Sequence, residues 1–158
     1  MLKQLFGSGL KVGDAAPDFS GRDQEGRARA LSDYRGRWLV LYFYPKDDTP
    51  GCTAEACSFR DDRSELEKMG ASVLGVSVDD AASHEKFSQK HGLNFPIIAD
   101  PDKTITKAYQ SLSPLGVANR VTFLIDPEGR IRDLIAWAPW SSYAKTVAKR
   151  LGRLLGEA

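Results

Sequence analysis

The 158-residue sequence is poor in the residues that build metal centres and disulfide scaffolds: it has two cysteines and two histidines. Two cysteines do not staple a domain of this size, so a secreted disulfide framework is excluded. A close pair of thiols in a reducing compartment instead points to redox or metal chemistry, and a cytoplasmic location is expected. A zinc site would need further ligands, and His84 and His91 lie seven residues apart without metal-site spacing. Net charge is +1, which offers no field for nucleic acid or an acidic membrane surface. No apolar run approaches the roughly 18 residues that a transmembrane helix requires. The N-terminal residues 1–6 are too short for a secretory signal, and no apolar core of such a signal follows. Repeats, linkers and low-complexity tracts are also missing, so residues 1–158 are expected to form one domain with one proper core.

Both cysteines fall in one stretch, Pro45-Lys46-Asp47-Asp48-Thr49-Pro50-Gly51-Cys52-Thr53-Ala54-Glu55-Ala56-Cys57. The apolar run Trp38 to Tyr44 before it reads as a buried strand, and Ala54 to Lys68 after it reads as a helix. Thr49 is a good N-cap and Pro50 a favoured first helical residue. Cys52 then lies in the first turn, where unpaired amide N–H groups and the helix dipole favour a thiolate. Glu55 sits in the same turn, where a carboxylate is also favoured. A helix terminus contributes only roughly 0.3–1 kcal/mol, too little for a fast enzyme by itself. Groups that position substrate and stabilise developing charge must supply the rest. The Thr49 hydroxyl, one turn from Cys52, can aim at the same substrate atoms.

Cys57 follows Cys52 by five residues, about 140° around and about 7.5 Å along an ideal helix. Their Cα atoms would stand roughly 8.7 Å apart, beyond the disulfide range of about 4.4–6.8 Å. A bond between them therefore requires the first turns to unwind, and two conformations are expected. The bland readings are a buried structural thiol at Cys52 and a small core residue at Cys57.

The pattern Pro45-x-x-x-Thr49-x-x-Cys52 resembles the active-site motif of the peroxiredoxins. Cys57 resembles the resolving cysteine of the Q-type, or bacterioferritin comigratory protein, subgroup. Val12-Gly13-Asp14-Ala15-Ala16-Pro17-Asp18-Phe19 is similar to the family's opening, and Tyr42-Phe43-Tyr44-Pro45 to its strand into the active-site loop. Glu55, Phe59-Arg60-Asp61, Phe95-Pro96 and Arg120-Val121-Thr122-Phe123-Leu124-Ile125-Asp126 match further elements. The likeness covers roughly residues 10 to 155, with the loop from Ser111 to Asn119 less typical.

By itself Arg120 is an arginine at a strand mouth; the resemblance places it beside Cys52, to lower the thiol pKa and hold peroxide oxygen. Pro45 ends a strand, and the resemblance adds shielding of Cys52 from solvent. The implied activity is thiol peroxidase chemistry on hydrogen peroxide and organic hydroperoxides, with a Cys52 sulfenic acid resolved by Cys57. The implied reductant is thioredoxin or a glutaredoxin-type protein. No metal, haem or flavin cofactor is implied, and an intramolecular cycle suits a monomer. A thioredoxin-type oxidoreductase would normally carry Cys-x-x-Cys, which is absent. A thiol sensor or chaperone-like binding module remains a further reading.

Along the chain, Asp18 to Leu31 suggests a hairpin turning near Arg22 to Arg27, and Ser32 to Gly36 a short helical turn. Strands are expected at Ala71 to Val78, Phe95 to Ala99, Val121 to Ile125 and Arg130 to Trp137. Helices are expected from a Ser83 cap to His91-Gly92, over Asp102 to Gln110, and from a Ser141 or Ser142 cap to the C-terminus. The last carries Val147, Leu151, Leu154 and Leu155 on one face. This alternation predicts an α/β three-layer domain with a mixed central sheet. The order fits a thioredoxin-like fold with an added N-terminal hairpin. Both histidines read as solvated helix residues, and Trp38, Trp137 and Trp140 as aromatics without chemistry.

Overall fold

The structure, a computed structural model, describes residues 7–156. The stretch read above for a secretory signal, residues 1–6, lies outside the described residues. Seven strands form one mixed sheet: β1 (Ser20–Asp23), β2 (Ala28–Ala30), β3 (Trp38–Phe43), β4 (Ala71–Ser77), β5 (Ile97–Ala99), β6 (Val121–Ile125) and β7 (Ile131–Ile135). Their spatial order is β2-β1-β5-β4-β3-β6-β7. Strands β3, β4 and β5 run parallel, β6 and β7 antiparallel on one side, and the β1–β2 hairpin pairs antiparallel with β5 on the other. The helices are α1 (Pro50–Lys68), α2 (Ala81–His91), α3 (Thr104–Ala108) and α4 (Tyr143–Gly156). This is the expected thioredoxin-like mixed α/β architecture with its added hairpin.

Strand β3 is apolar throughout because both of its faces are covered. Val40 and Tyr42, with the following Tyr44, point into one core with Phe59 and Leu66 of α1, Phe87 of α2, and Val147 and Leu151 of α4. Leu39, Leu41 and Phe43 alternate into a second core with Phe19, Leu31, Ile105 and Phe123. Leu154 and Leu155 pack on the first core from the rim. Among the described residues no helix is long and apolar enough to cross a membrane.

Helix ends show where local signals compete. Gly70 follows α1 at φ +87° and Gly92 closes α2 in the left-handed region. Ser83 does not cap α2. Asp80 does, its carboxylate accepting from the Ser83 N–H at 2.9 Å, which frees the Ser83 hydroxyl for another partner. Helix α4 is entered through a short 3₁₀ turn, Trp140–Ser142, rather than from a simple serine cap. The Ser58 hydroxyl of α1 accepts from the Ala144 N–H of α4 at 3.1 Å and fixes the two helices together.

Candidate active site

The thiol turn lies where the parallel strands end. Strand β3 runs through Phe43, the loop 45–49 turns, and α1 starts back along the sheet. Antiparallel pairing sets Val121 opposite Phe43, so Arg120 enters β6 beside the end of β3. Sheet register thus carries a guanidinium to a cysteine 68 residues away in sequence.

Cys52 is almost fully buried, at 1% exposure, and Cys57 is half-buried; both are free thiols in an unbroken α1. Arg120 Nη2 donates to Cys52 Sγ at 3.3 Å, and Arg120 Nη1 donates to Glu55 Oε1 at 2.7 Å. The guanidinium therefore bridges two residues of the same helical turn. Its outer face lies on Trp140, with 5.4 Å from the guanidinium carbon to the ring centroid. Gly51 permits this stacking: a Cβ there would come within 2.9 Å of the Trp140 ring and 3.0 Å of Arg120 Nη2.

Thr49 takes the N-cap position with extended backbone, but its side chain does not cap. Its hydroxyl donates to the Lys46 carbonyl at 2.8 Å instead. Pro45, Arg120, Trp137 and Trp140 line an open, largely apolar groove of about 860 Å³. Of the five residues singled out by sequence, Cys52 and Arg120 are in direct contact. Thr49 stands at the start of the helix, Pro45 on the groove wall, and Cys57 farther along α1.

Glu55 is the site residue that sequence reasoning undervalued. Local rules present it as a carboxylate near a helix dipole, and the family resemblance only as a matching helix residue; it is fully buried, with Oε2 lacking any partner. Burial pushes its carboxyl up to about 8, against the opposing charge and hydrogen bond of Arg120. Arg120 loses by burial too, but the Glu55 and Cys52 charges outweigh that and hold it above its ordinary value. The folded chain thus binds the Glu55 proton more tightly than the unfolded chain, where the group titrates near 4.5. The stability this proton contributes is complete below the unfolded value and is lost as pH rises through about 8. Urea denaturation is expected to show unfolding free energy declining across that window, by at most about 1.4 kcal/mol per pH unit, and Glu55→Gln flattens the slope.

The histidines depart from expectation. His84 is completely buried, with Nδ1 2.6 Å from Asp47 Oδ2 and Nε2 2.9 Å from the Ile98 carbonyl. The polar helix sequence around it, Ser83-His84-Glu85-Lys86, hides the one face that turns to the sheet. His91 is mostly covered and bonds Asp48 at 3.1 Å. Among the described residues Asp47, Asp79 and His84 are the one group whose side chains converge as metal ligands would, within 4.8 Å of one another. Both ring nitrogens of His84 and both oxygens of Asp47 are already engaged by protein groups, so the cluster fits a hydrogen-bond network better than a cation.

Residues 12–134 match the AhpC/TSA family. The chain is 44% identical over 125 residues to peroxiredoxin Q, chloroplastic, of Oryza sativa subsp. japonica, covering 78% of this chain and 58% of that protein. It thus spans little more than half the length of that relative. Peroxiredoxin Bcp of Bacillus subtilis (strain 168) is 41% identical over 130 residues, 77% of this chain and 82% of that one. The crystal structure of a cysteine-to-serine mutant of PrxQ from Xylella fastidiosa aligns with a TM-score of 0.88 at 34% identity, covering 94% of this chain and 99% of that chain. A match of this extent, in sequence and in fold, makes the chain a member of the AhpC/TSA family and, within it, of the peroxiredoxin Q/Bcp group.

Proposed function

We propose that the protein is a thiol peroxidase in which Cys52 is the nucleophile. The observation that carries this reading is the Arg120 guanidinium held between Cys52 Sγ at 3.3 Å and Glu55 Oε1 at 2.7 Å. A fixed cation beside the sulfur remains in place to receive negative charge as the O–O bond breaks. Glu55 holds the other guanidinium nitrogen at 2.7 Å and so aims the cation at the sulfur.

The thiolate attacks the terminal peroxide oxygen. The O–O bond breaks, a proton is taken up by the leaving oxygen, and water or alcohol departs, leaving a sulfenic acid on Cys52. Thr49 has committed its proton to the Lys46 carbonyl, so its oxygen presents lone pairs to the O–H of a hydroperoxide. Because Thr49 does not cap the helix, the first-turn amides stay open to a substrate oxygen. Pro45 walls the approach, and the apolar groove beside Arg120 suits the organic tail of an alkyl hydroperoxide.

Cys57 then attacks the sulfenic sulfur, an S–S bond forms, and water leaves. The start of α1 unwinds for this step, since an intact helix holds the Cα atoms roughly 8.7 Å apart. A dithiol protein of thioredoxin or glutaredoxin type returns both thiols. One domain, as a monomer, contains every group the cycle uses, and a cytoplasmic setting supplies the reductant.

Rapid mixing of reduced protein with one equivalent of hydrogen peroxide tests the reading. Both thiols are expected to disappear together, with a mass decrease of two hydrogens and no covalent dimer. Oxidation no faster than that of free cysteine at equal thiolate fraction would remove the peroxidase assignment and favour a thiol sensor.

A further inference from the structure

The loop 45–49 is tied from behind by a buried polar network that the thiol chemistry does not use. Asp47 is its hub. Asp47 Oδ1 accepts from the Tyr44 hydroxyl at 2.7 Å, and Oδ2 accepts from the Ser83 hydroxyl at 2.8 Å and meets His84 Nδ1 at 2.6 Å. The Asp47 backbone N–H donates to Asp79 Oδ2 at 2.8 Å, and the Ser77 hydroxyl donates to that same oxygen. One loop residue is thus joined to the end of β3, the end of β4 and the start of α2.

The proton count on this network is constrained. The Ile98 carbonyl only accepts, so His84 Nε2 carries a hydrogen. A separation of 2.6 Å between Nδ1 and a carboxylate oxygen requires a hydrogen on that line as well. The pair is therefore closed by a shared proton, in a place where His84 has no solvent exposure. Pulling Asp47 away strands a buried donor or acceptor, a costly event.

The loop and the thiol helix are stiffly joined. Pro50 has a fixed φ and restricts Thr49 to extended backbone. Thr49 is also bonded back to Lys46. Unwinding at Gly51 and Cys52 is therefore transmitted through a stiff Thr49-Pro50 unit to Asp48 and Asp47. Asp48 holds an outer tie, to Lys90 and His91, but that one is exposed and weak.

We propose that the Asp47–His84 pair is a latch that keeps the thiol loop in its folded form, and that its opening sets the rate at which Cys52 reaches Cys57. Both are positioning residues, acting on the sulfur only through the loop. The rate statement rests on the peroxidase reading; the opening of the loop does not.

Hydrogen exchange on the reduced protein, without peroxide, tests the latch directly. His84→Gln is expected to speed exchange of the hydrogen-bonded Asp47 and Thr53 amides by about tenfold or more while the β4 amides keep their wild-type protection. Asp47→Ala reports the same loss from the loop side. Asp47→Asn should restore protection to within about threefold, because its amide can donate to a neutral His84 Nδ1 while its oxygen still accepts from Tyr44. Unchanged exchange in His84→Gln and Asp47→Ala, or a rise equally large in β4, would overturn the latch. In rapid mixing, His84→Gln should slow sulfenic acid formation yet hasten disulfide formation. A slowing of both steps would overturn the gating role. If the wild-type protein itself ignores peroxide, the function reading fails instead, and the exchange data alone decide the latch.

Discussion

Cys52→Ser is expected to reduce peroxide turnover to the uncatalysed background while leaving the fold intact. The substitution changes one buried atom beside Arg120 Nη2, and a hydroxyl oxygen can still accept that hydrogen bond. What disappears is the chemistry. A serine oxygen is not ionised near neutral pH and has no accessible higher oxidation state, so it can neither attack peroxide at a useful rate nor retain the transferred oxygen atom. Circular dichroism and thermal unfolding should match the wild type closely. Cys57→Ser gives the complementary result. Its first reaction with peroxide should proceed at the wild-type rate, because Cys57 lies more than a helical turn along α1 from Cys52. The product then stops at the sulfenic acid, seen as the gain of one oxygen by intact mass, and further peroxide drives it to the sulfinic state. Multiple fast turnovers by Cys52→Ser would refute the assignment.

The second large effect is expected at Arg120. Arg120→Met keeps an unbranched apolar stem but removes the charge, the guanidinium stacked on Trp140 and both hydrogen bonds of the bridge. The rate of sulfenic acid formation should fall by about 10²–10³-fold, the usual cost of losing a preorganised donor to developing charge. Arg120→Lys should recover only part of this, since an ammonium cannot reproduce the two-pronged contact with Sγ and Oε1. Glu55→Gln separates orientation from charge. An amide oxygen still accepts from Arg120, so its rate should remain within about tenfold of the wild type. A rate for Arg120→Met within about threefold of the wild type would show that the helix terminus alone activates the thiol, contrary to the small size of that effect.

These expectations depend on contacts that differ in how openly the sequence displays them. The thiol turn was legible because its causes are local: Thr49 and Pro50 set a helix start, and Cys52 must follow in the first turn. The unbroken α1 likewise follows from its own residues, as do the apolar β3 and the left-handed glycine closing α2. Even here a local rule had competitors. Thr49 gave its hydroxyl to Lys46 rather than to the helix, and α2 starts one turn earlier than Ser83, with Asp80 as its cap.

Arg120, Glu55 and Trp140 are different. Only resemblance to a family placed Arg120 beside Cys52; no periodicity in the sequence does so. Glu55 presents as an ordinary helix carboxylate, and Trp140 as an aromatic near the C-terminus. His84 sits in a segment as polar as any solvated helix. Hydrophobic pattern reports which face of an element turns inward, but not which distant element it meets. That choice belongs to strand order and register. The sequence by itself determined a thiol at a helix start, a second thiol out of bonding reach, and the strand and helix carrying them. Tertiary structure decided what surrounds the sulfur. The antiparallel β3–β6 pairing delivers Arg120, and tertiary packing buries Glu55 completely against it. The approach of α2 to the sheet closes His84 onto Asp47. Each arises because burial in a common core, not sequence proximity, brings those groups within reach of one another.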